Sequence, residues 1–253
     1  MAENSERTLT PEELEKIRAE TLKLQAETEQ AAVRAELDFQ KLRADARKAE
    51  AEASALEIKL REEERRQKTL LADDIYHHVY RFSDTVSSNS VASCMARLAY
   101  WDRNDPKCPI EIIFSSPGGS VIDGMVLFDY IGTIRRSGHL VTTSTMGWAA
   151  SMAGILLQAG DRRVMYREAW VLIHEVSFGT SGKIGEIEDT VNWARRMDER
   201  VIDIFTERCR QAGVAGTAKH PLSRAKLKKG WTRKDWWLDS GECLDFGLVD
   251  EGR

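Results

Sequence analysis

Cysteine is scarce and scattered in this chain. Cys94, Cys108, Cys209 and Cys243 form no C-x-x-C pair and have no histidine at metal-ligand spacing. That pattern argues against a disulfide framework or a zinc site and for reduced thiols in a cytosol-like compartment. Long apolar runs are also missing: none approaches the ~20 residues a bilayer-spanning helix needs. The opening MAENSERTLT has neither the basic start nor the apolar stretch of a secretory signal. Excess positive charge is absent too, since 37 Lys and Arg face 41 Asp and Glu for a net charge of −4. Nothing in that balance calls for nucleic acid or an anionic membrane as partner. The expectation is a soluble, cytoplasmic protein.

Glycine is absent between residues 11 and 71, and Pro11 is the only proline there. Ala, Glu, Lys, Arg and Leu dominate, which predicts one long helix over this span. Its start is marked by Thr10 as N-cap, Pro11 at the first helical position and Glu13 completing a T-x-x-E capping box. A stripe from Leu14, Ile17, Thr21 and Leu24 through Phe39 and Leu42 to Leu56 and Leu60 steps by threes and fours. One four-four step at Ala35 reads as a coiled-coil stutter. About sixty residues would extend roughly 90 Å. The stripe has few large residues, so a coiled coil and a simply solvated helix both remain open. The domain reading is a helical extension over 1–72 and a second domain over 73–253.

The second region alternates strand and helix. IYHHVYRF (75–82), IEIIF (110–114), HLVTTSTM (139–146), RRVM (162–165) and AWVLIHEV (169–176) read as strands. Helices are expected over 87–105, with Val91, Cys94, Met95, Leu98 and Trp101 inward, then over 124–138, 151–159 and 184–209. Alternation of this kind predicts an α/β domain with largely parallel strands. Hydrophobic residues, at 42%, suffice for its core, while the 31% charged residues concentrate in the first seventy.

Three places could carry chemistry. Ser116-Pro117-Gly118-Gly119-Ser120 follows a buried strand and precedes a helix, so its amides could face a substrate oxygen, and paired glycines allow close approach. Ser151 sits at a second strand-to-helix junction behind Gly147, Ala149 and Ala150, where its hydroxyl is unshielded. There it is either a helix cap or a nucleophile. A nucleophile requires a base, and of the five histidines only His174 ends an apolar strand, Trp170 to Ile173. Asp235, followed by Trp236 and Trp237, is expected to point into a packed wall and could orient that histidine.

FSSPGGSVIDGM, MGWAASMAGILLQAG, LIHE and KDWWLDSGECLDFGLVD occur in the order and near the spacing of the Clp protease proteolytic subunit family (ClpP). The resemblance covers about Ile75 to Asp250. It implies a crotonase-like ββα spiral and a serine endopeptidase with Ser151 as nucleophile, His174 as base and Asp235 as acid. The amides of Gly119 and Met152 would form the oxyanion hole, and Gly118 with Ser177, Phe178 and Gly179 would border the peptide groove. Heptameric rings, stacked in pairs through a handle helix at Ile184 to Arg208, are also implied. No metal or organic cofactor is implied; ATP would enter only through a separate AAA+ unfoldase.

The pattern departs from the family in places. Glu175-Val176 stand where Gln-Pro is usual. Glu111 and Ile113 occupy positions where tyrosines often dock the partner ATPase. The stretch from Arg208 to Lys234 is long and basic, which reads as a solvated loop or as a phosphate- or partner-binding one. The helical extension resembles the architecture of ClpP-like proteases of tailed phages, which act in capsid maturation; scaffold or capsid proteins would then be partners, in the host cytoplasm. Two rival readings stand beside the peptidase: a crotonase-type acyl-CoA enzyme, and an assembly protein whose protease fold is vestigial.

Overall fold

The computed structural model describes residues 10–253. The start of the helical extension, residues 1–9, lies outside the described residues. The chain divides into two units, Met1–Leu70 and Leu71–Arg253.

Among its described residues the first unit is one α-helix, α1 (Pro11–Leu71), of 61 residues. The capping box forms as its residues dictate: Thr10 N–H donates to Glu13 Oε2 at 3.0 Å and Glu13 N–H to Thr10 Oγ1 at 3.3 Å. No α1 side chain is buried in the chain by itself. The apolar stripe is therefore exposed, and so are Leu22, Val33, Leu37 and Ile58 beside it.

The second unit is a mixed α/β fold around a seven-stranded, mostly parallel sheet. Its elements are β1 (Val79–Phe82), α2 (Ser88–Asn104), β2 (Ile110–Ser116), α3 (Val121–Arg136), β3 (Val141–Ala150), α4 (Met152–Leu156), β4 (Arg162–Met165), β5 (Trp170–Ile173), α5 (Ile184–Ala215), α6 (Arg224–Trp231), β6 (Trp236–Leu238), α7 (Ser240–Phe246) and β7 (Glu251–Gly252). The order β1-β2-β3-β4-β7 forms the main path, and β5 branches from β3 to pair with β6. Apolar runs such as Ile112 to Phe114 suit this arrangement, because a parallel sheet is covered on both faces. The core joins β2 residues Ile112 and Phe114 to Leu98 and Trp101 of α2, Leu127 and Ile131 of α3, and Phe205 of α5.

The branch at β3 is what builds the site. Thr142–Thr145 pair with β4, whereas Trp148–Ala150 pair with β5. Between the two halves lies Gly147 at φ +74°, a left-handed bend that glycine adopts without Cβ strain. The expected strand over 139–146 thus continues four residues further and ends directly at Ser151.

Three other expectations are corrected. Ile75 to His78 form turns rather than strand. The basic stretch is not a loop: α5 continues to Ala215, and α6 carries Arg224 and Lys228 into ion pairs with Glu199 and Asp203 of α5. Arg224 and Lys228 thus have intramolecular partners, which a sequence without the α5–α6 packing cannot reveal. Finally, Asp235 does not point into a wall. It is exposed, while Trp236 turns inward against Phe246 and Trp237 stacks on Trp148. Alternation along β6 sends successive side chains to opposite faces, so the tryptophans cannot enclose their neighbour.

Candidate active site

Ser151 is held at φ +56°, ψ −123°. For a non-glycine residue such a backbone costs of order 1–3 kcal/mol and persists only where its surroundings enforce it. They do so here. Ser151 N–H donates to Leu172 O at 2.8 Å, fixing the turn to β5, and Ala149 and Ala150 are buried in the ladder just before it. The hydroxyl makes no capping hydrogen bond to α4, which removes the helix-cap alternative. Gly118 packs against the same turn: a Cβ there would stand 2.5 Å from Ala150 O, 2.7 Å from Ser151 Cβ and 2.8 Å from Met152 N. Gly118 is thus needed for approach to Ser151 as well as for turning, whereas Gly119 makes its close approach to Val86.

The register of β3 with β5, Ala150 opposite Leu172, sets His174 two residues beyond Ser151's own contact. Ser151, Met152, Gly119, His174 and Ser177 line one pocket, with Ile155, Ile173, Val201 and Phe205 as apolar walls. His174 Nδ1 lies 2.6 Å from Glu175 O. A carbonyl only accepts, so Nδ1 carries the proton, and in the neutral ring Nε2 is left with the lone pair a general base needs. Among the described residues no hydrogen bond joins His174 to Ser151 or to Asp235.

Two residues that line this pocket have backbone amides without a hydrogen-bond acceptor among the described residues. Met152 is the first residue of α4, so its N–H has no intrahelical acceptor. Gly119 forms a parallel bridge with Val86, in which Val86 N–H donates to Gly118 O and Ser120 N–H to Val86 O. The amide of Gly119 itself therefore points away from that ladder.

Asp235 stands one step past the last pair of the antiparallel β5–β6 ladder, Ile173 opposite Trp236, so the register carries it across from His174. Its side chain is exposed and has no hydrogen-bond partner among the described residues. Phe178 and Gly179 are exposed and do not line the pocket; Ser177 does. The sequence reading missed Asp198 of α5, whose Oδ1 accepts from Val176 N–H at 2.8 Å and holds the segment after His174. Burial pushes its carboxyl above the ordinary value against the pull of that hydrogen bond. It also missed the Glu175 side chain, which accepts from Arg233 N–H at 2.7 Å and fastens the chain ahead of Asp235. Asp198 belongs to no short motif, and Glu175 ends LIHE without any local sign of its bond to Arg233, so only the packing around α5 and α6 identifies these roles.

A strained serine lining one pocket with a histidine and two helix- or loop-end amides is an arrangement of the kind acyl transfer requires. Residues 66–251 match the family described as Clp protease, and the chain belongs to that family. It is 31% identical to the ATP-dependent Clp protease proteolytic subunit 1 of Chlamydia muridarum (strain MoPn / Nigg), over 67% of this chain and 82% of that protein. It is 29% identical to the ATP-dependent Clp protease proteolytic subunit 2 of Parasynechococcus marenigrum (strain WH8102), over 71% of this chain and 87% of that one.

Proposed function

We propose that the chain is a serine endopeptidase, with residues 73–253 as the peptidase domain, built as a crotonase-type spiral, and residues 1–72 as a helical extension. The observation that carries this reading is the shared pocket of Ser151, His174, Gly119 and Met152, with Ser151 strained and uncapped. Ser151 Oγ attacks the scissile carbonyl as its proton passes to His174 Nε2. The Gly119 and Met152 amides hold the oxyanion; losing one such donor costs on the order of 100- to 1,000-fold in rate. His174 then protonates the leaving amine, and water enters by the same route to release the acyl group. Asp235 holds the imidazole once its exposed carboxylate swings toward His174 Nδ1, displacing the Glu175 carbonyl. Support for that role is the β5–β6 register, whose last pair, Ile173 with Trp236, adjoins both residues. The exposed segment from Ser177 to Gly179, with Gly118, borders the peptide.

Both relatives are named as subunits of ATP-dependent Clp proteases. On that basis the working form is a ring oligomer fed by a Clp-type ATPase, in the cytoplasm. The exposed apolar residues of α1 support a further association, with a second copy or a scaffold protein, of the kind phage head maturation would use. No described helix is long and apolar enough to cross a membrane.

A fluorophosphonate probe tests the chemistry. The assembled protein should label covalently on Ser151, and Ser151→Ala and His174→Ala should not label. No labelling of the intact assembly would overturn the peptidase reading in favour of a vestigial fold serving assembly.

A further inference from the structure

The N-terminal ends of β1 and β2, opposite the strand ends that carry the Ser151 pocket, hold a second group of reactive side chains. His78, Asp105 and Cys108 each offer one ligand atom, and these atoms lie within 4.8 Å of one another. We propose that they bind one late first-row divalent cation, Zn2+ by preference, with a solvent molecule completing a tetrahedral set.

The β1–β2 pairing creates the cluster. Val79 pairs with Glu111, so His78 falls beside the chain that leads from Cys108 into β2. Asp105 ends α2, and Cys108 N–H donates to Asp105 O at 3.2 Å, a tight turn that presents both side chains together. His78 Nε2 lies 3.2 Å from Asp105 Oδ2. Two metal bonds of ~2.0–2.1 Å at a tetrahedral angle require about 3.3 Å between nitrogen and oxygen. With a Zn–S bond of ~2.3 Å the sulfur must stand about 3.5 Å from each, so closing the site asks about 1 Å of side-chain movement. One imidazole, one carboxylate and one thiolate, formed by loss of the Cys108 proton to solvent, balance a double positive charge. This nitrogen, oxygen and sulfur set suits zinc and its neighbours and disfavours Mg2+ and Ca2+, which take oxygen ligands.

The surroundings fit a held site that solvent can reach. Cys108 is buried while the Asp105 side chain is 59% exposed, which leaves a path for the ion and the fourth ligand. Behind the sulfur, buried His139 donates from Nδ1 to Cys108 O at 2.9 Å, with the same nitrogen 3.6 Å from Cys108 Sγ. Its Nε2 lies 3.0 Å from Asp102 Oδ1. His139 and Asp102 are thus positioning residues that fix the cysteine, as outer partners commonly do for metal ligands.

Cobalt titration of the metal-stripped full-length protein tests this, because a thiolate-to-cobalt charge-transfer band appears only when a cysteine binds the ion. One equivalent of Co2+ should raise that band together with the visible bands of four-coordinate cobalt, and Zn2+ should displace them. Cys108→Ser should lose the band, and Cys94→Ser should keep it. His78→Asn, which tolerates the positive φ of that position, and Asp105→Asn should each bind at least ~10-fold more weakly. If Cys108→Ser proves unfolded by circular dichroism, these two variants decide. No band in the intact protein, its persistence in Cys108→Ser, or wild-type titration of His78→Asn and Asp105→Asn would overturn the proposal.

Discussion

Gly118→Ala is the sharpest perturbation of the Ser151 turn. The new methyl would sit 2.5 Å from Ala150 O and 2.8 Å from Met152 N, both backbone atoms that no rotamer change can clear. Gly118 is also at φ +87°, where a Cβ costs roughly 1–2 kcal/mol. Overpacking against fixed backbone adds about 1–3 kcal/mol. The sum predicts a loss of about 2–5 kcal/mol, read as a lower denaturation midpoint at unchanged slope. Relief must come from moving Ser151 or the Met152 amide, so fluorophosphonate labelling should fall by on the order of 100-fold or more, as for a lost oxyanion donor. Gly252→Ala is the control, since nothing lies within 4 Å of the methyl it would add, and it should stay within about 0.5 kcal/mol. If Gly118→Ala matched that control in stability and labelling, the close approach of the glycine loop to Ser151 would be wrong.

Two further perturbations test the frame around the site. Phe205→Ala removes a buried ring that walls the pocket from α5; it should cost about 3–5 kcal/mol in chemical denaturation, and a loss under 1 kcal/mol would refute its place in the core. Arg163 is buried and bonds Asp250 through Nε at 3.0 Å, fastening β4 to the chain end. Burial pushes the Asp250 carboxyl up, but the hydrogen bonds and charge of Arg163 outweigh it and hold it below 3.8. A folded-state value below the unfolded one means that this stabilisation is present above the unfolded value and is lost as the pH falls through the folded one. Asp250→Asn, which strands a buried guanidinium, should therefore lose about 3–5 kcal/mol at neutral pH and show a flatter acid limb in denaturation midpoints. An acid limb identical to the wild type would refute the pair's contribution.

Much of the architecture was legible because it rests on local chemistry. The α1 helix follows from sixty residues without glycine or an interior proline, and its capping box needs only Thr10 and Glu13. The apolar runs of β2 and β5 and the amphipathic α2 and α5 are likewise written into hydrophobic spacing. The short β6 was invisible, since WWL becomes a strand only by pairing with β5. The helicity and ion pairs of α6 depend in the same way on α5.

The candidate site divides along the same line. The sequence by itself marked Ser151, His174 and the paired glycines, because a nucleophile, a base and a close-approach loop need particular residue types. It also supplied the long helix, which is a sum of local propensities. The tertiary structure alone decided that β3 bends at Gly147 and hands its second half to β5, bringing Ser151 and His174 to one pocket. It alone decided that Asp235 faces solvent, and that Asp198 fastens the segment beside the histidine. The cysteine spacing spoke against a metal, yet strand pairing draws His78 to Asp105 and Cys108 across some thirty residues of chain. The reason is physical: residue type and short-range periodicity are properties of the chain, whereas distances between segments are set by sheet register and helix packing, which form only when the whole domain folds.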